Sequence, residues 1–343
     1  MKSKMKAFIC RGPKQFSLEE VEIGEPEIGE VKLKVLYAGI CGSDLSIVHG
    51  RNPFASYPLI PGHEFVGEVV ESKDASFRAG QLAAVMPVVG CGECESCHLG
   101  NVNRCRKVKL YGVHMNGGFA EYVLVKAKNL IPFEKPIQPN QVVFSEPLAV
   151  GVHANRINGT NQKDTIAIIG GGIIGSVILK VAKVLGITSI TVIDVIAERL
   201  ERSLLLGAQD VINSSQHNLR ELIKNQQYTG KYDSVFDVVG NDETLDIALD
   251  LLKPAGKLVL VAVPSGEKRN IDVLKIFSQE KVLTASRTYS REDFIRALEL
   301  IITHQVNPSD FITHEYPFSS IDFALDRAEN SKNEELKVIV KMR

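Results

Sequence analysis

The stretch Thr165-Ile166-Ala167-Ile168-Ile169-Gly170-Gly171-Gly172-Ile173-Ile174-Gly175 carries the strongest fold signal in the chain. It opens with a short apolar run, which is typical of a buried parallel strand, and it closes in the pattern G-x-G-x-x-G. The apolar residues that follow, up to Leu185, have helical spacing. A strand, a glycine-rich turn and a helix in this order predict a βαβ unit whose helix N-terminus holds the pyrophosphate of a dinucleotide.

Three glycines of this motif have separate predicted roles. Gly170 allows the tight turn, Gly172 lets the backbone approach the pyrophosphate, and Gly175 lets the helix pack closely on the sheet. The backbone amides of Ile173 and Ile174 are expected to hold the phosphates. The alternative interpretation is an ordinary helix-entry turn that binds nothing.

Asp194 follows the next apolar strand and lies 24 residues after Gly170. A carboxylate at this place accepts hydrogen bonds from the adenosine ribose and repels a 2′-phosphate, so the predicted cofactor is NAD rather than NADP. Arg199, one helical turn further on, is a candidate to lie over the adenine. Strand and helix alternate to about Thr284, which predicts a doubly wound parallel sheet of the Rossmann type.

The first 150 residues have a different character, because short segments are punctuated by Gly and Pro throughout. Residues 31–36, 65–70 and 121–125 are strand candidates in this region. An amphipathic helix is predicted over Arg291–Ile302. The apolar tail at residues 336–340 is predicted to be a strand that returns to the first domain.

The composition limits the class of protein and its partners. The 343 residues are 44% hydrophobic and 24% charged with a net charge of -1, as expected for a soluble globular chain of two domains. This balance gives no reason to expect a nucleic-acid partner. No stretch approaches the roughly 20 apolar residues of a membrane helix, and no signal h-region is predicted. The expected location is the cytoplasm, where thiols stay reduced.

Four cysteines fall within fifteen residues, with spacings of two, two and seven: Cys91, Cys94, Cys97 and Cys105. Two-residue gaps let neighbouring thiolates converge on one tetrahedral ion, so the cluster predicts a zinc site. Four thiolates close the coordination sphere, which makes the site structural. The alternative is a pair of disulfides, which the absence of a secretory signal disfavours.

A second candidate metal set comes from three separate segments and comprises Cys41, His63, Glu64 and Glu146. A thiolate, an imidazole and a carboxylate suit Zn²⁺ and leave one coordination position open. Each residue also has an ordinary explanation, as a small buried side chain, a core histidine or a helix start. The spacing alone leaves both interpretations open.

These motifs together resemble the zinc-dependent medium-chain alcohol and polyol dehydrogenases over essentially the whole chain. The resemblance is carried by the four-cysteine loop, the glycine motif and the segments Gly39-Ile40-Cys41-Gly42-Ser43-Asp44, Gly62-His63-Glu64 and Ser145-Glu146-Pro147. Residues 145–154 are similar to the sorbitol and threonine dehydrogenase branch. Residues 52–58 and 111–119 resemble a bacterial subgroup of starvation-sensing dehydrogenase-like proteins and L-galactonate/L-gulonate dehydrogenases.

The resemblance implies an α/β fold in two domains. Residues 1–150 and 291–343 would form a GroES-like β-rich catalytic domain, and residues 151–290 an inserted Rossmann NAD-binding domain with a doubly wound parallel sheet. The implied cofactors are NAD and two zinc ions, one catalytic and one structural. The implied assembly is a homo-oligomer, either a dimer or a tetramer.

The resemblance also implies roles for the residues of the second metal set. Cys41 and His63 would ligate the catalytic zinc, and Glu64 or Glu146 would be the third ligand. Asp44 would orient His63.

The implied proton acceptor is Ser43. The alcohol dehydrogenases carry a proton-relay histidine where this chain has Ser46, and His49 lies nearby but out of register. The route of the proton from Ser43 to solvent is therefore left open between water and His49.

The reaction implied is hydride transfer between NAD and a secondary alcohol of a polyol or a sugar acid, such as the hexonates L-galactonate and L-gulonate. Arg287 aligns with a substrate-facing position and is a candidate partner for a carboxylate; the alternatives are a polyol hydroxyl or a subunit contact. His114 is a candidate for the mouth of the cleft or an ordinary surface residue. The competing functions are a neutral, sorbitol-type polyol dehydrogenase and a non-catalytic regulatory protein that binds NAD and zinc.

Overall fold

Strands dominate the first 133 residues of the chain, and helices and strands are mixed in the rest of it. The computed structural model describes residues 3–216, 218–225, 227–262, 268–331 and 335–342. The strands are β1 (Ser3–Gly12), β2 (Gln15–Ile23), β3 (Glu30–Gly39), β4 (Glu64–Ser72), β5 (Leu82–Val85), β6 (Val88–Val89), β7 (Lys109–Leu110), β8 (Tyr122–Lys126), β9 (Leu130–Phe133), β10 (Ile166–Ile169), β11 (Ile190–Asp194), β12 (Asp210–Asn213), β13 (Tyr232–Asp237), β14 (Leu252–Leu260), β15 (Val282–Ala285), β16 (Ile312–Pro317) and β17 (Lys337–Lys341). The helices are α1 (Gly42–Val48), α2 (Glu95–His98), α3 (Pro139–Val142), α4 (Ser145–Asn158), α5 (Ile173–Val184), α6 (Ala197–Leu205), α7 (Leu219–Lys224), α8 (Asp242–Leu251), α9 (Val273–Phe277), α10 (Arg291–Ile302) and α11 (Ile321–Asn330).

One compact unit contains Met1–Glu146 and Ser290–Arg343. Its main sheet has the order β16-β17-β3-β4-β5-β9, with β8 paired to β3. The four segments predicted as strands fall in β3, β4, β8 and β17, with the last two beginning one residue later than predicted, and the predicted amphipathic helix is α10. These predictions are confirmed. The tail strand β17 pairs antiparallel with β3, which brings the end of the chain beside the segment that leads to Cys41.

The core of this unit follows from the alternating pattern of β3. Val31, Leu33 and Val35 are buried, and they alternate with Lys32 and Lys34. Side chains two residues apart in a strand point to the same face, so the three apolar residues enter one core. Burial of each contributes roughly 1.5–3 kcal/mol, which fixes the register of β3 against its neighbours.

The second compact unit is Pro147–Tyr289. Its six strands pair in parallel in the order β12-β11-β10-β13-β14-β15. The strand order reverses between β10 and β13, and in sheets of this kind ligands bind at the carboxyl ends of the strands beside such a reversal. The doubly wound parallel sheet predicted from the sequence is confirmed.

The two units divide the chain after Glu146 and again after Tyr289. Their assignment as a catalytic and an NAD-binding domain stays a prediction at this point. None of the helices in the described part of the chain combines the length and the apolarity needed to cross a membrane.

Candidate active site and metal centres

Cys41, His63 and Glu64 converge in the first unit. Their ligand atoms, one from each residue, all lie within 4.8 Å of one another. Cys41 is the N-cap of α1, directly after β3, and Glu64 is the first residue of β4. Because β3 and β4 are antiparallel, with Gly39 opposite Glu64, the end of one strand meets the start of the other. Strand pairing therefore brings together two motifs that are more than twenty residues apart.

Asp44 ties the two ligand-bearing segments to each other. Its Oδ2 accepts a hydrogen bond from the backbone N–H of Cys41 at 2.9 Å, and its Oδ1 accepts one from the N–H of Gly62 at 3.1 Å. Oδ1 also lies 3.4 Å from Nδ1 of His63. The carboxylate is fully buried, so these contacts form in a site that excludes water. This position is the one expected for a residue that orients His63.

The electrostatics of this site favour a cation. Burial opposes a charge on His63, but the charges of Asp44 and Cys41 outweigh it and raise the pKa of His63 well above its usual range. Anionic groups that would stabilise a proton on a buried imidazole also stabilise a metal ion in its place. A thiolate, an imidazole and a carboxylate suit zinc, so the residues fit the metal predicted from the sequence.

Glu146 is buried near the start of α4. Among the described residues, the converging group contains Cys41, His63 and Glu64 and leaves out Glu146. Ser43 is the second residue of α1, and its Oγ lies 3.4 Å from Nε2 of His63. The candidate proton acceptor therefore contacts a candidate metal ligand.

The four-cysteine loop forms a second converging group. The Sγ atoms of Cys91, Cys94, Cys97 and Cys105 lie within 4.8 Å of one another, and all six cysteines of the chain are free thiols. Hydrogen bonds from the backbone N–H groups of Glu93 and Cys94 lower the pKa of Cys91 to about 6, which favours the thiolate. Four thiols arranged in this way fit a tetrahedral ion and agree with zinc rather than disulfides.

The glycine motif lies where the strand order of the second unit reverses. Gly170 directly follows β10, and Gly172 is the N-cap of α5, whose first residues are Ile173 and Ile174. A Cβ on Gly175 would collide with the carbonyl oxygen of Gly170, so the helix approaches the turn as closely as glycine permits. This is the predicted strand–turn–helix arrangement.

Asp194 ends β11 beside this turn. Its Oδ2 accepts a hydrogen bond from the backbone N–H of Gly171 at 2.6 Å, and its Oδ1 accepts one from Ile196 at 2.9 Å. Nη1 of Arg199 lies 3.6 Å from the same carboxylate. The structure thus brings together the glycine turn, which was predicted to hold the pyrophosphate, and the acid and the arginine, which were predicted to contact the adenosine.

Comparisons with known proteins identify the family. Residues 27–135 match the family described as the alcohol dehydrogenase GroES-like domain, and residues 174–303 match the zinc-binding dehydrogenase family. The chain is 34% identical over 343 residues to the starvation-sensing protein RspB of Escherichia coli K12, with 98% of this chain and 99% of the relative covered. The chain belongs to the zinc-binding alcohol dehydrogenase family.

Two further proteins support the cofactors and the fold of this alcohol dehydrogenase. L-galactonate-5-dehydrogenase of Escherichia coli K12 is 29% identical over 340 residues, covering 98% of this chain and 99% of the relative. A crystal structure of rspB from Escherichia coli CFT073, described as a short chain alcohol dehydrogenase and complexed with NADH, has a TM-score of 0.93 at 32% identity, covering 99% of this chain and 100% of that one. The protein is an NAD-dependent dehydrogenase with zinc and NAD as cofactors, and its GroES-like plus Rossmann fold is confirmed.

Sequence reasoning missed one residue of the alcohol dehydrogenase site, Lys337. Its Nζ donates hydrogen bonds to Oε1 of Glu64 at 2.5 Å and to the carbonyl of Ile40 at 2.9 Å. Burial opposes its charge, but Glu64 and Cys41 outweigh burial and raise the pKa of Lys337. The available signal was a lysine inside the apolar tail strand β17, at a position that would otherwise be apolar.

Helix α1 carries Ser46 at the position where the alcohol dehydrogenases have a proton-relay histidine. Oγ of Ser46 donates to the carbonyl of Gly42 at 2.9 Å, so this hydroxyl closes a turn of its own helix. Nε2 of His49 lies 2.7 Å from a carboxylate oxygen of Glu329. His49 is thus paired with a carboxylate of α11, and the proton route from Ser43 stays open as before.

The two candidate substrate residues of the dehydrogenase occur in different units. His114 is half-buried, its Nδ1 accepts a hydrogen bond from the backbone N–H of Leu110 at 3.2 Å, and its ring centre lies 6.4 Å from that of Phe54. Arg287 is exposed two residues after β15. Their roles toward a substrate stay predictions.

Proposed function

We propose that this dehydrogenase oxidises a secondary alcohol of a sugar acid, a hexonate such as L-galactonate or L-gulonate, with NAD as the hydride acceptor. The observation that carries the proposal is the convergence of Cys41, His63 and Glu64, with the Ser43 hydroxyl 3.4 Å from His63. Similarity to an L-galactonate-5-dehydrogenase supports the substrate class. The reverse reaction reduces a keto acid at the same site.

Cys41 and His63 hold the catalytic zinc in this proposal, and Glu64 or Glu146 is the third ligand. When bound, the zinc supplies a Lewis acid for the substrate oxygen, and NAD supplies the hydride acceptor. Ser43 takes the proton of the substrate hydroxyl as the general base or as the first member of a relay. Asp44 keeps His63 in the orientation that the metal needs.

The remaining parts of the proposal concern the two other sites. Cys91, Cys94, Cys97 and Cys105 hold the structural zinc. The residues that bind NAD are Gly170, Gly172, Ile173, Ile174, Gly175, Asp194 and Arg199. The first unit is then the catalytic domain, and the second is the NAD-binding domain.

Arg287 is proposed to recognise the carboxylate of the sugar acid. A guanidinium binds a carboxylate with two parallel hydrogen bonds, whereas a neutral polyol offers only hydroxyls. His114 is proposed as a hydroxyl contact. Because its Nδ1 accepts a hydrogen bond from the backbone N–H of Leu110, Nε2 is the nitrogen that carries the proton in the neutral ring.

The test is NADH formation by the zinc-loaded enzyme on a panel of hexonates, hexitols and pentitols. The expected result is a kcat/KM on one hexonate that exceeds every neutral polyol, and a loss of at least about tenfold on that hexonate in Arg287→Met. Arg296→Met, which removes an exposed arginine from α10, is the matched control and should change nothing. A preference for neutral polyols would instead make this a sorbitol-type enzyme.

The metal part of the proposal has its own test. Cys41→Ser should abolish NADH formation and lower the zinc content from two ions to one per chain, while the unfolding temperature stays close to that of the unaltered protein. An active Cys41→Ser enzyme would remove the zinc mechanism.

A homo-oligomer, a dimer or a tetramer, is also proposed. The edge strand β15 exposes Val282 and Leu283 at 45% and 38%, and Phe277 of the adjacent α9 is 80% exposed. An apolar strand edge can pair with the same edge of a second copy about a twofold axis. Light scattering should give at least twice the chain mass, and Leu283→Lys should lower it. The proposed location is the cytoplasm, which the six free thiols support.

A further inference from the structure

Lys337 and Glu64 contact each other across β3, at a position where β3 has a glycine and therefore no side chain. The sheet order is β17-β3-β4, so Lys337 and Glu64 belong to strands separated by β3. The residue of β3 opposite Glu64 is Gly39, and its partner on β17 is Ile339. Lys337 is two residues from Ile339 and therefore points to the same face. The two charged side chains reach each other over Gly39.

Gly39 is required for this contact. A Cβ on Gly39 would collide with Oε2 of Glu64, so the carboxylate lies directly on the bare backbone of β3. Oε1 of Glu64 accepts the hydrogen bond from Lys337, and Oε2 is buried with no hydrogen-bond partner among the described residues. One oxygen of Glu64 is therefore held by the lysine, and the other has no such hydrogen bond. Glu64 also supplies one oxygen to the group of ligand atoms formed with Cys41 and His63.

The charges explain why a lysine is buried here. Lys337 is 2% exposed and Glu64 is 1% exposed, and a buried carboxylate without a cation is strongly unfavourable. Cys41 and Glu146 add further negative charge near the ammonium group. Lys337 supplies one positive charge to this set, and a divalent ion supplies two. The lysine and the metal therefore stabilise the same anions.

We propose that Lys337 is a positioning residue that competes with the catalytic metal for Glu64. By holding Oε1, it keeps Glu64 from closing on the metal with both oxygens, and this preserves a coordination position for substrate. The inference rests on the proposed function, because it needs the metal at Cys41 and His63. If Lys337 were only structural, its removal would weaken zinc binding or leave it unchanged. The proposal expects the opposite, that removing Lys337 makes zinc binding tighter.

The experiment measures zinc binding to the full-length protein by competition with a chromophoric chelator. Two zinc steps are expected, and the catalytic step is the one missing in Cys41→Ser. In Lys337→Met the catalytic step should tighten by at least about tenfold, because Oε1 of Glu64 is released from its hydrogen bond to the lysine and the repulsion between the ammonium group and a divalent ion is removed. The kcat on the best substrate should fall by at least about tenfold, since Glu64 then occupies the open position.

Lys281→Met is the matched control, because Lys281 is another buried lysine, whose Nζ donates to the carbonyl of Leu249 in the second unit. It should lower the unfolding temperature without changing either zinc step. Lys337→Arg keeps the charge and should retain the zinc affinity of the unaltered protein. In the double variant Glu64→Gln/Lys337→Met, most of the gain in affinity should be lost, since the competing carboxylate is gone.

The outcomes separate this inference from the function on which it rests. If the unaltered protein shows no zinc step that depends on Cys41, the proposed metal function fails. If that step is present but Lys337→Met weakens it or leaves it unchanged, Lys337 is only a structural partner of Glu64 and the inference is overturned. Should Lys337→Met not fold, Lys337→Gln gives the same comparison with a hydrogen-bonding side chain.

Discussion

Oδ1 of Asp44 lies 3.4 Å from Nδ1 of His63, while the same carboxylate accepts hydrogen bonds from the backbone N–H groups of Cys41 and Gly62. Replacement by Asn puts an amide NH2 in place of one acceptor oxygen. We expect Asp44→Asn to lower the free energy of unfolding by about 1–3 kcal/mol. We also expect zinc affinity at Cys41 and His63 to fall by roughly 10–100-fold. Urea unfolding and chelator competition measure the two effects.

Asp237→Asn is the control for this prediction. Asp237 is also fully buried, and it lies in the second unit. Its Oδ1 accepts hydrogen bonds from the backbone N–H groups of Val239 and Gly240, and its Oδ2 accepts one from Oγ1 of Thr244. An amide oxygen at Oδ1 can keep both backbone hydrogen bonds, so Asp237→Asn should lose no more stability than Asp44→Asn, and it should leave both zinc steps unchanged. If Asp44→Asn also left the zinc affinity unchanged, Asp44 would only hold the backbone of Cys41 and Gly62 and would have no effect on the metal site.

Gly112 is expected to fix the position of His63 through backbone contact. A Cβ on Gly112 would lie 2.6 Å from the carbonyl carbon of Gly62 and 2.8 Å from the nitrogen of His63, and Gly112 has a φ of +77°. Gly112→Ala should therefore have two effects. The alanine is strained in the left-handed conformation, and its Cβ displaces the backbone that carries His63. We expect lower stability and a kcat reduced by at least about tenfold, because a displacement of about 1 Å is enough for a loss of that size.

Gly29→Ala separates the two causes. Gly29 has a φ of +81°, and a Cβ there would meet nothing within 4 Å. It should cost only the conformational strain, about 1–2 kcal/mol, and leave kcat unchanged. If both alanine variants lose the same stability and keep the same kcat, the close packing on Gly62 has no role in the site.

The parts of this protein that could be predicted from sequence are those set by local structure. The Rossmann turn was predictable because strand, glycines and helix are consecutive from Thr165 onward, and the four-cysteine loop because its ligands are close in sequence. The convergence of Cys41 with His63 was left open by spacing, since it depends on the pairing of β3 with β4. Only the resemblance to a family favoured it.

Lys337 could not be predicted for the same physical reason. It contacts Glu64 from 273 residues away, and the contact needs three strands in register with a glycine on the middle one. A lysine in an apolar tail strand indicates that something unusual is buried there, but it does not name the partner. Arg287 and His114 stay predictions, since their roles depend on a substrate.

Asp194 is expected to determine the choice between NAD and NADP. Its carboxylate lies at the glycine turn, where it can accept hydrogen bonds from a ribose and repel a 2′-phosphate. Asp194→Ala should lower the ratio of kcat/KM for NAD over NADP by at least about tenfold, the equivalent of one charge-assisted hydrogen bond. Steady-state rates with the two cofactors on one substrate give this ratio.

Asp210→Ala is the control for cofactor choice, because Asp210 begins β12, the strand next to β11, and lies at the opposite end of the sheet from Asp194. The ratio should not change in this variant. If the ratio of kcat/KM for NAD over NADP were also unchanged in Asp194→Ala, other groups would determine the cofactor preference, and Arg199 would be the first candidate.

Cys97 is expected to contribute to stability through the structural zinc. Its Sγ belongs to the four-thiol group, which offers no position for a substrate. Cys97→Ser should lower the zinc content from two ions to one per chain and the unfolding temperature by at least about 5 °C, the equivalent of roughly 2 kcal/mol for a chain of this kind.

Cys10→Ser changes another cysteine, which is fully buried and outside both metal groups, so it should lose stability while keeping both ions. Loss of the catalytic zinc should remove activity, whereas loss of the structural zinc should first lower stability, so calorimetry together with metal analysis distinguishes the two sites. A Cys97→Ser protein that keeps two zinc ions would show that the loop does not need all four thiolates.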